Sequence, residues 1–302
     1  MAKKRAVYAD AYLVDIGAHV FPTEKYNMVR DLLIEKEDFK KGDFIQPEPA
    51  GDEDILLVHH KAYLQRLKSG TLSMAEIARL ELPYSKELVF ASLLCVKGSI
   101  MAARYALKDR VGIHIGGGFH HAFPECGEGF CVFNDIAIAI KRLQKEGAVK
   151  KAMVIDCDLH QGNGTAFIFK GDKTVFTFSI HQENNYPMPK PPSDLDIGLP
   201  DGAGDDEYLD ELKANVPKII DAFKPDLIFY VAGADPYKND QIGGLNLSIS
   251  GLKQRDEIIF DGASGKFNIP VCVVLAGGYA PDTNDTARIH YNSISAGLKY
   301  AG

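Results

Sequence analysis

Five short runs made mostly of apolar residues constrain what this chain can fold into. They lie at 111–115, 152–155, 174–180, 226–231 and 271–275, and each is predicted to be a strand. The runs lack the alternation of a half-exposed strand, which indicates strands that are covered on both faces. Because helical patterns separate them, the sequence predicts an α/β fold with a largely parallel sheet.

The clearest helical pattern lies between the third and fourth of these runs. Apolar residues recur at helical spacing over 209–223, and Asp205 or Asp206 is expected to cap that helix. Pro217 interrupts the pattern and is expected to kink or break the helix. The first 110 residues are more helical and poorer in strands, and we expect them to form a packed flank. Since the sequence contains no linker and no internal repeat, we expect one domain over 1–302.

Charge and composition exclude several classes of function. Lys and Arg total 34 against 41 for Asp and Glu, which gives a net charge of −7 and no basic stripe, so nucleic acid is not expected as a direct partner. An apolar run of about 20 residues is needed to span a membrane, and none is recognised, nor is a signal peptide. The 5 cysteines form no C-x-x-C pair, which favours a reduced, cytoplasmic setting.

Polar residues follow two of the predicted strands, at the edge where a parallel sheet binds ligands. Asp156, Asp158 and His160 follow one strand, and in extended backbone their side chains would share a face. Asp235 follows another strand. A helix cap and an unrelated histidine would explain the pieces separately. Together these residues would suit Zn²⁺ or another divalent transition metal. Asp158, His160 and Asp235 would fill the three protein positions of a catalytic zinc and leave Asp156 spare.

Two further strand ends carry residues suited to acid–base chemistry. His120 and His121 follow a run of three glycines, and an imidazole titrates near neutral pH. Asp156 could orient His120 by accepting its second ring proton. Tyr279, on a glycine turn, could donate a hydrogen bond to a developing oxyanion. The alternatives are a surface histidine pair and a packing tyrosine. The remaining histidines have no convergent partners and are interpreted as structural: His19, His59, His60, His114, His181 and His290.

Six motifs in one order resemble the zinc-dependent histone deacetylase family. They are G-G-G-F-H-H at 116–121, G-F-C-x-x-N-D at 129–135, D-x-D-x-H-Q-G-N-G at 156–164, A-G-A-D at 232–235, G-G-L-N-L-S at 243–248 and G-G-Y at 277–279. The likeness extends over 110–300 and is greatest to the class IV branch and to bacterial relatives of the acetoin-utilisation type.

The resemblance implies an arginase–deacetylase fold, with a largely parallel sheet of about eight strands between helices. It implies a zinc-dependent amidohydrolase that removes acetyl or longer fatty acyl groups from lysine side chains of proteins or peptides. Asp158, His160 and Asp235 would hold the zinc, and Tyr279 would polarise the acyl carbonyl. His121 is expected to act as general base, with His120 assisting.

Other site residues also follow from the resemblance alone. Asp156 would partner His120, and Asn163 would partner His121 where class I enzymes have an aspartate, so the charge that would raise the pKa of His121 is missing. A potassium ion would be held, mostly through backbone oxygens, by Asp156, Asp158, His160, Ser179 and Ile180. The substrate tunnel would be formed by Phe130, Tyr186, Ile242 and Gly118.

Three alternatives remain open. The substrate could be a small acylated amine such as an acetylpolyamine. A ureohydrolase with two manganese ions is a second alternative, but it would need further carboxylates, and Tyr237 stands two residues after Asp235. The third is a catalytically silent module that binds acyl-lysine, for which loss of Tyr279 or of the histidine pair would be the mark.

Overall fold

The computed structural model describes residues 4–302. Its eight strands are β1 (Ala6–Val7), β2 (Phe44–Ile45), β3 (Val111–His114), β4 (Ala152–Asp156), β5 (Val175–Gln182), β6 (Leu195–Leu199), β7 (Leu227–Val231) and β8 (Val271–Val274). Its α-helices are α1 (Lys25–Glu35), α2 (Asp52–Ile55), α3 (Lys61–Ser69), α4 (Met74–Leu80), α5 (Lys86–Asp109), α6 (Asp135–Lys145), α7 (Asn163–Phe169), α8 (Asp205–Phe223), α9 (Ile249–Phe260) and α10 (Thr283–Leu298). Short 3₁₀ turns at Asp10–Tyr12 and Lys41–Asp43 and a π-helical turn at Asp261–Lys266 complete these elements.

The eight strands form one sheet in the order β2-β1-β3-β8-β7-β4-β5-β6. Every neighbouring pair is parallel, as the alternation of strands and helices predicted. The central strands β4 and β7 are paired in register, so that Asp156 lies opposite Val231. The loops that leave these two strands therefore start side by side at the carboxyl edge of the sheet.

Both faces of the central strands are buried in apolar packing. Met153 and Ile155 of β4 lie in the hydrophobic cluster on one face, while Ala152 and Val154 lie in the cluster on the other. The strands β7 and β8 divide their residues between the same two clusters. Since each face must be apolar, the positions along these strands are apolar except Asp156 at the end of β4, which explains the runs in the sequence.

The structure differs from the sequence predictions in three elements. The first 110 residues are not only a helical flank, because β1 and β2 extend the sheet at one edge. The helix α8 is continuous through Pro217. Its apolar face stays buried on both sides of the proline, at Leu212 and Ile220, and this packing outweighs the missing hydrogen bond. Gly204, not either aspartate, is at the N-cap of α8.

The helix α5 is longer and more apolar than the sequence analysis recognised. It has 24 residues with a mean hydropathy of 1.4 over its most apolar window, and so passes a length and composition test for a membrane span. However, 67% of that window is buried inside the protein, where α5 packs against β3 and α6. This packing is that of a core helix.

Candidate active site

The three predicted metal ligands meet at the carboxyl edge of the sheet. Asp158 and His160 lie on the loop after β4, and Asp235 lies on the loop after β7. One ligand atom from each lies within 4.8 Å of the other two, and all three residues are buried. The Nδ1 atom of His160 is 3.2 Å from Asp158 Oδ1 and 3.2 Å from Asp235 Oδ2. The predicted convergence of these three side chains is confirmed.

Backbone amides hold the two carboxylates in place. The amide of Gly277 donates to Asp158 Oδ2 at 2.9 Å, and the amide of Leu159 donates to Asp235 Oδ1 at 3.0 Å. A Cβ atom at Gly233 or at Gly277 would collide with these carboxylates. The glycines are therefore required because the backbone passes directly against the ligand cluster.

The ligand side chains converge because the backbone bends after β4, and not because they share one face of an extended strand as predicted. The strand β4 ends at Asp156, and residues 158–160 form bends instead of extended backbone. Asp156 Oδ1 accepts a hydrogen bond from the amide of Asp158 at 3.1 Å, and Oδ2 lies 2.7 Å from Nδ1 of His120. Asp156 thus fixes the start of the ligand loop and the ring of His120 together.

The paired histidines lie beside the ligand cluster. Their Nε2 atoms are 3.1 Å apart, and Nδ1 of His121 is 2.7 Å from Oδ1 of Asn163. Burial alone would lower the pKa of His120, but Asp156 and Asp158 raise that pKa to about 9. Burial lowers the pKa of His121 well below its usual value, and the charges of His120 and His160 lower it further. The two shifts run in opposite directions, so His120 is the more readily protonated of the pair and His121 the more readily neutral.

A cavity opens onto this cluster. Its lining consists of Glu81, His121, Gly129, Phe130, His160, Asn185, Tyr186, Ile242 and Tyr279. The predicted tunnel residues Phe130, Tyr186 and Ile242 are in this lining, and Gly118 is not. Gly118 instead lies against Ala276, and its amide donates to Asp135 at 3.1 Å.

Tyr279 lines the same cavity, and its backbone is fixed from two sides. Its amide donates to Asp240 Oδ2 at 2.7 Å, and its carbonyl accepts from the side chain of Gln241 at 2.7 Å. Its ring packs edge-on against Phe130, 5.8 Å between centroids. Burial raises the pKa of Tyr279 well above its usual value, and the charges of Asp235 and Asp158 add to this, so the hydroxyl remains a donor.

The residues predicted to hold potassium are neighbours in the sheet. Asp156 of β4 is in register with Ser179 of β5, and Ile180 follows it. Asp156, Ser179 and Ile180 are all buried. The hydroxyl of Ser179 bonds to Nδ1 of His181 at 2.9 Å.

Two buried charged residues of the site were missed by the sequence analysis. Lys25, from α1, is 0% exposed and donates to the carbonyl of Ala276 at 2.6 Å, with its ammonium 5.6 Å from the ring centre of Tyr279. Burial lowers the pKa of Lys25 to about 8, against the attraction of Asp235 and Asp158. Glu128 bonds to Asn163 and Tyr186. Lys25 has no local sequence signal, whereas Glu128 directly precedes the glycine of a recognised motif.

Two of the other histidines, His114 and His59, make hydrogen bonds within the core. His114 is fully buried between Tyr12 and Ser99, with bonds of 2.8 and 2.9 Å. His59 Nε2 accepts from the amide of Asn134 at 3.0 Å. His19 differs, because its ring lies 4.9 Å from that of Phe130, a residue that lines the cavity. The sequence analysis found no partner for it, since that contact depends on the tertiary fold.

Comparison with known proteins now places the chain in a class. The family model of the histone deacetylase domain matches residues 19–294. The chain therefore belongs to the histone deacetylase family, and as a member it is a hydrolase of the deacetylase kind.

Individual relatives agree with this membership. An uncharacterised protein of Picosynechococcus sp. is 39% identical over 285 residues, which cover 94% of this chain and 95% of that relative. Histone deacetylase 2 of Arabidopsis thaliana is 30% identical over 307 residues, which cover 97% of this chain and 78% of that relative. The crystal structure of an HDAC homologue complexed with SAHA matches the fold with a TM-score of 0.81 at 24% identity, covering 97% of this chain and 84% of the other.

Proposed function

We propose that this protein is a zinc-dependent amidohydrolase that removes acetyl or longer fatty acyl groups from lysine side chains of proteins or peptides. One observation carries the proposal: the buried cluster of Asp158, His160 and Asp235 lies at a cavity that Tyr279 and His121 also line. With a metal ion bound to that cluster, a hydroxyl donor and an imidazole would face the same space, as hydrolysis of an amide requires.

The chemistry of the cluster fits a divalent cation. Burial and the neighbouring charge of Asp158 raise the pKa of Asp235 to about 7, so the two carboxylates repel each other. A cation held by Asp158, His160 and Asp235 would relieve this repulsion, and two oxygens with one nitrogen suit Zn²⁺. When bound there, zinc would lower the pKa of a water molecule and polarise the acyl carbonyl.

The residues of the chain then divide the proton transfers. His121 would accept at Nε2 the proton that the attacking water molecule loses as its oxygen bonds to the acyl carbon. His120 holds a proton against Asp156 and lies 3.1 Å from His121, so it can assist and supply the proton that the leaving amine needs. The hydroxyl of Tyr279 would donate to the negative charge that develops on the oxygen of the acyl carbonyl.

The cavity suggests the substrate. Phe130, Tyr186 and Ile242 give it aromatic and aliphatic walls, which suit the methylene chain of an acylated lysine. Glu81 adds a carboxyl group to the same lining, and this favours a substrate with further positive charge. A small acylated amine such as an acetylpolyamine is therefore the second candidate substrate.

We further propose a second cation, a subclass, a domain extent and a location for this protein. A potassium ion would lie at the Asp156–Ser179 pairing, and the subclass would be class IV. The catalytic domain would comprise 1–302, with no nucleic acid as partner. The location would be cytoplasmic, which is supported by five buried cysteines that are all free.

An acyl-length profile tests the proposal. Zinc-loaded protein would be assayed against acetyl-, octanoyl- and myristoyl-lysine peptides and against acetylpolyamines. We expect hydrolysis of the lysine peptides, abolished by chelation and restored by zinc. Faster hydrolysis of acetylpolyamines would favour the second candidate. Tight binding of the peptides without hydrolysis would instead support a silent acyl-lysine module, and two manganese ions per chain would support a ureohydrolase.

A further inference from the structure

A buried glutamate lies behind the second histidine. Glu128 is buried in the loop before Phe130, and its backbone pairs with that of Cys131 through bonds of 3.0 and 2.9 Å. The outer carboxylate oxygen, Oε2, is bound by the guanidinium of Arg79. The inner oxygen, Oε1, accepts from Nδ2 of Asn163 at 2.6 Å and from the hydroxyl of Tyr186 at 3.0 Å.

We propose that Glu128 is a positioning residue that fixes the side-chain amide of Asn163 and, through that amide, the tautomer of His121. The inference rests on the proposed function in one respect, namely that His121 is the base. It concerns a residue that touches neither the candidate metal ligands nor the reacting atoms, and it acts entirely through Asn163.

The ability of each group to donate or accept decides how the hydrogen bonds among Glu128, Asn163 and His121 are oriented. An ionised carboxylate only accepts hydrogen bonds, so Asn163 must turn its NH₂ group toward Glu128. The amide oxygen of Asn163 then faces His121, at 2.7 Å from Nδ1. Because an oxygen only accepts, Nδ1 of His121 must carry the ring proton. Nε2 is then left with its lone pair, which is the state that a general base needs.

Arg79 decides which atom of residue 128 faces outward and which faces Asn163. A guanidinium only donates, so it keeps one oxygen of residue 128 facing outward. In Glu128→Gln the amide oxygen would have to face Arg79, and the NH₂ group would face inward. Two NH₂ groups would then meet at Asn163, and the conflict is relieved when the Asn163 amide flips. The flipped amide donates to Nδ1 of His121, which moves the ring proton to Nε2 and removes the base.

Glu128 also contacts Tyr186, which lines the cavity, so its effect extends to the substrate-binding wall. The Tyr186 hydroxyl donates to the same oxygen as Asn163, and its ring lies 5.0 Å from that of His121. Glu128 therefore links the histidine to a wall of the cavity, so a change at residue 128 is expected to affect KM as well as kcat.

The test compares Glu128→Gln with Glu125→Gln in the zinc-loaded protein. Glu125 is exposed on the same loop, so the control makes the same change of charge away from Asn163. Two quantities are measured: kcat on an acyl-lysine peptide, and the protonation of each His121 ring nitrogen by ¹⁵N NMR. His121 is assigned by the loss of its signals in His121→Gln.

We expect Glu128→Gln to lower kcat about 10- to 100-fold, as do other changes of residues that orient site histidines, and to move the ring proton to Nε2. Glu125→Gln should change neither. In the double variant Glu128→Gln with Arg79→Met, the new amide oxygen at position 128 is free to face Asn163. This variant should return the proton to Nδ1, which separates orientation from a general loss of folding.

Two results would overturn the inference: a proton that stays on Nδ1 of His121 in Glu128→Gln, or a kcat equal to that of Glu125→Gln. The NMR signal needs no turnover. If the parent protein hydrolyses none of the acyl substrates but the proton moves as expected, the proposed function fails and the positioning role of Glu128 stands.

Discussion

Replacing Tyr279 by phenylalanine should separate catalysis from stability. The described residues make hydrogen bonds to the backbone of Tyr279, through Asp240 and Gln241, and none to its hydroxyl. Removing that hydroxyl therefore leaves no buried partner unsatisfied, and the free energy of unfolding should change by less than about 1 kcal/mol. If the hydroxyl donates to the oxyanion, the barrier should rise by about 2.7–4 kcal/mol, which is about 100- to 1,000-fold in kcat.

The assay measures kcat on the best acyl-lysine peptide, urea unfolding, and zinc content for Tyr279→Phe. Tyr63→Phe is the matched control, because the hydroxyl of Tyr63 donates to the buried carbonyl of Val132 at 2.8 Å, away from the cavity. The control should lose about 1–3 kcal/mol of stability and keep its kcat. If Tyr279→Phe retains zinc and its kcat is within threefold of the parent, Tyr279 is not part of the mechanism. A threefold change in kcat is roughly half a kcal/mol in the barrier, since 1.36 kcal/mol is tenfold.

Three further changes test other parts of the site. In the folded protein the pKa of Lys25 is lowered from 10.5 to about 8. Between these two pH values the unfolded chain binds more protons than the folded protein does. The free energy of unfolding therefore rises by about 3 kcal/mol as the pH increases from 8 to 10.5. Lys25→Met should abolish that gain in unfolding measured from pH 8 to 10; an unchanged slope would contradict burial as its cause. Asp135→Asn should cost about 1–3 kcal/mol in urea unfolding, since Asp135 accepts from the amides of Gly118 and Phe119; a smaller loss would argue against that role. Asp235→Asn should lose the rise in Tm that zinc gives the parent, and a retained rise would exclude Asp235 as a ligand.

The parallel fold was predictable because its signal is local. Each central strand must be apolar at nearly every position to contact both clusters, and this leaves a run that can be read without knowing the partner strand. The edge strands β1 and β2 have two residues each and leave no comparable run. The strand β6 alternates half-buried and exposed positions and is fully buried only at Leu199, and Gly198 interrupts its apolar residues.

The candidate ligands were predictable for a similar reason, whereas the groups behind them were not. Asp158 and Asp235 directly follow two apolar runs, and parallel strands bring such ends to one edge. Lys25 reaches the site from a helix 251 residues away from its partner Ala276. The partners of Glu128 at 79, 163 and 186 are likewise distant in sequence, so its role depends on side-chain geometry that no spacing encodes.

The most direct test of the central claim is anomalous diffraction at the zinc absorption edge from crystals of the zinc-loaded protein. We predict one anomalous peak per chain, bound by a carboxylate oxygen of Asp158, a ring nitrogen of His160 and a carboxylate oxygen of Asp235. Zinc located away from these three residues, or a second metal of equal occupancy beside the first, would contradict the account.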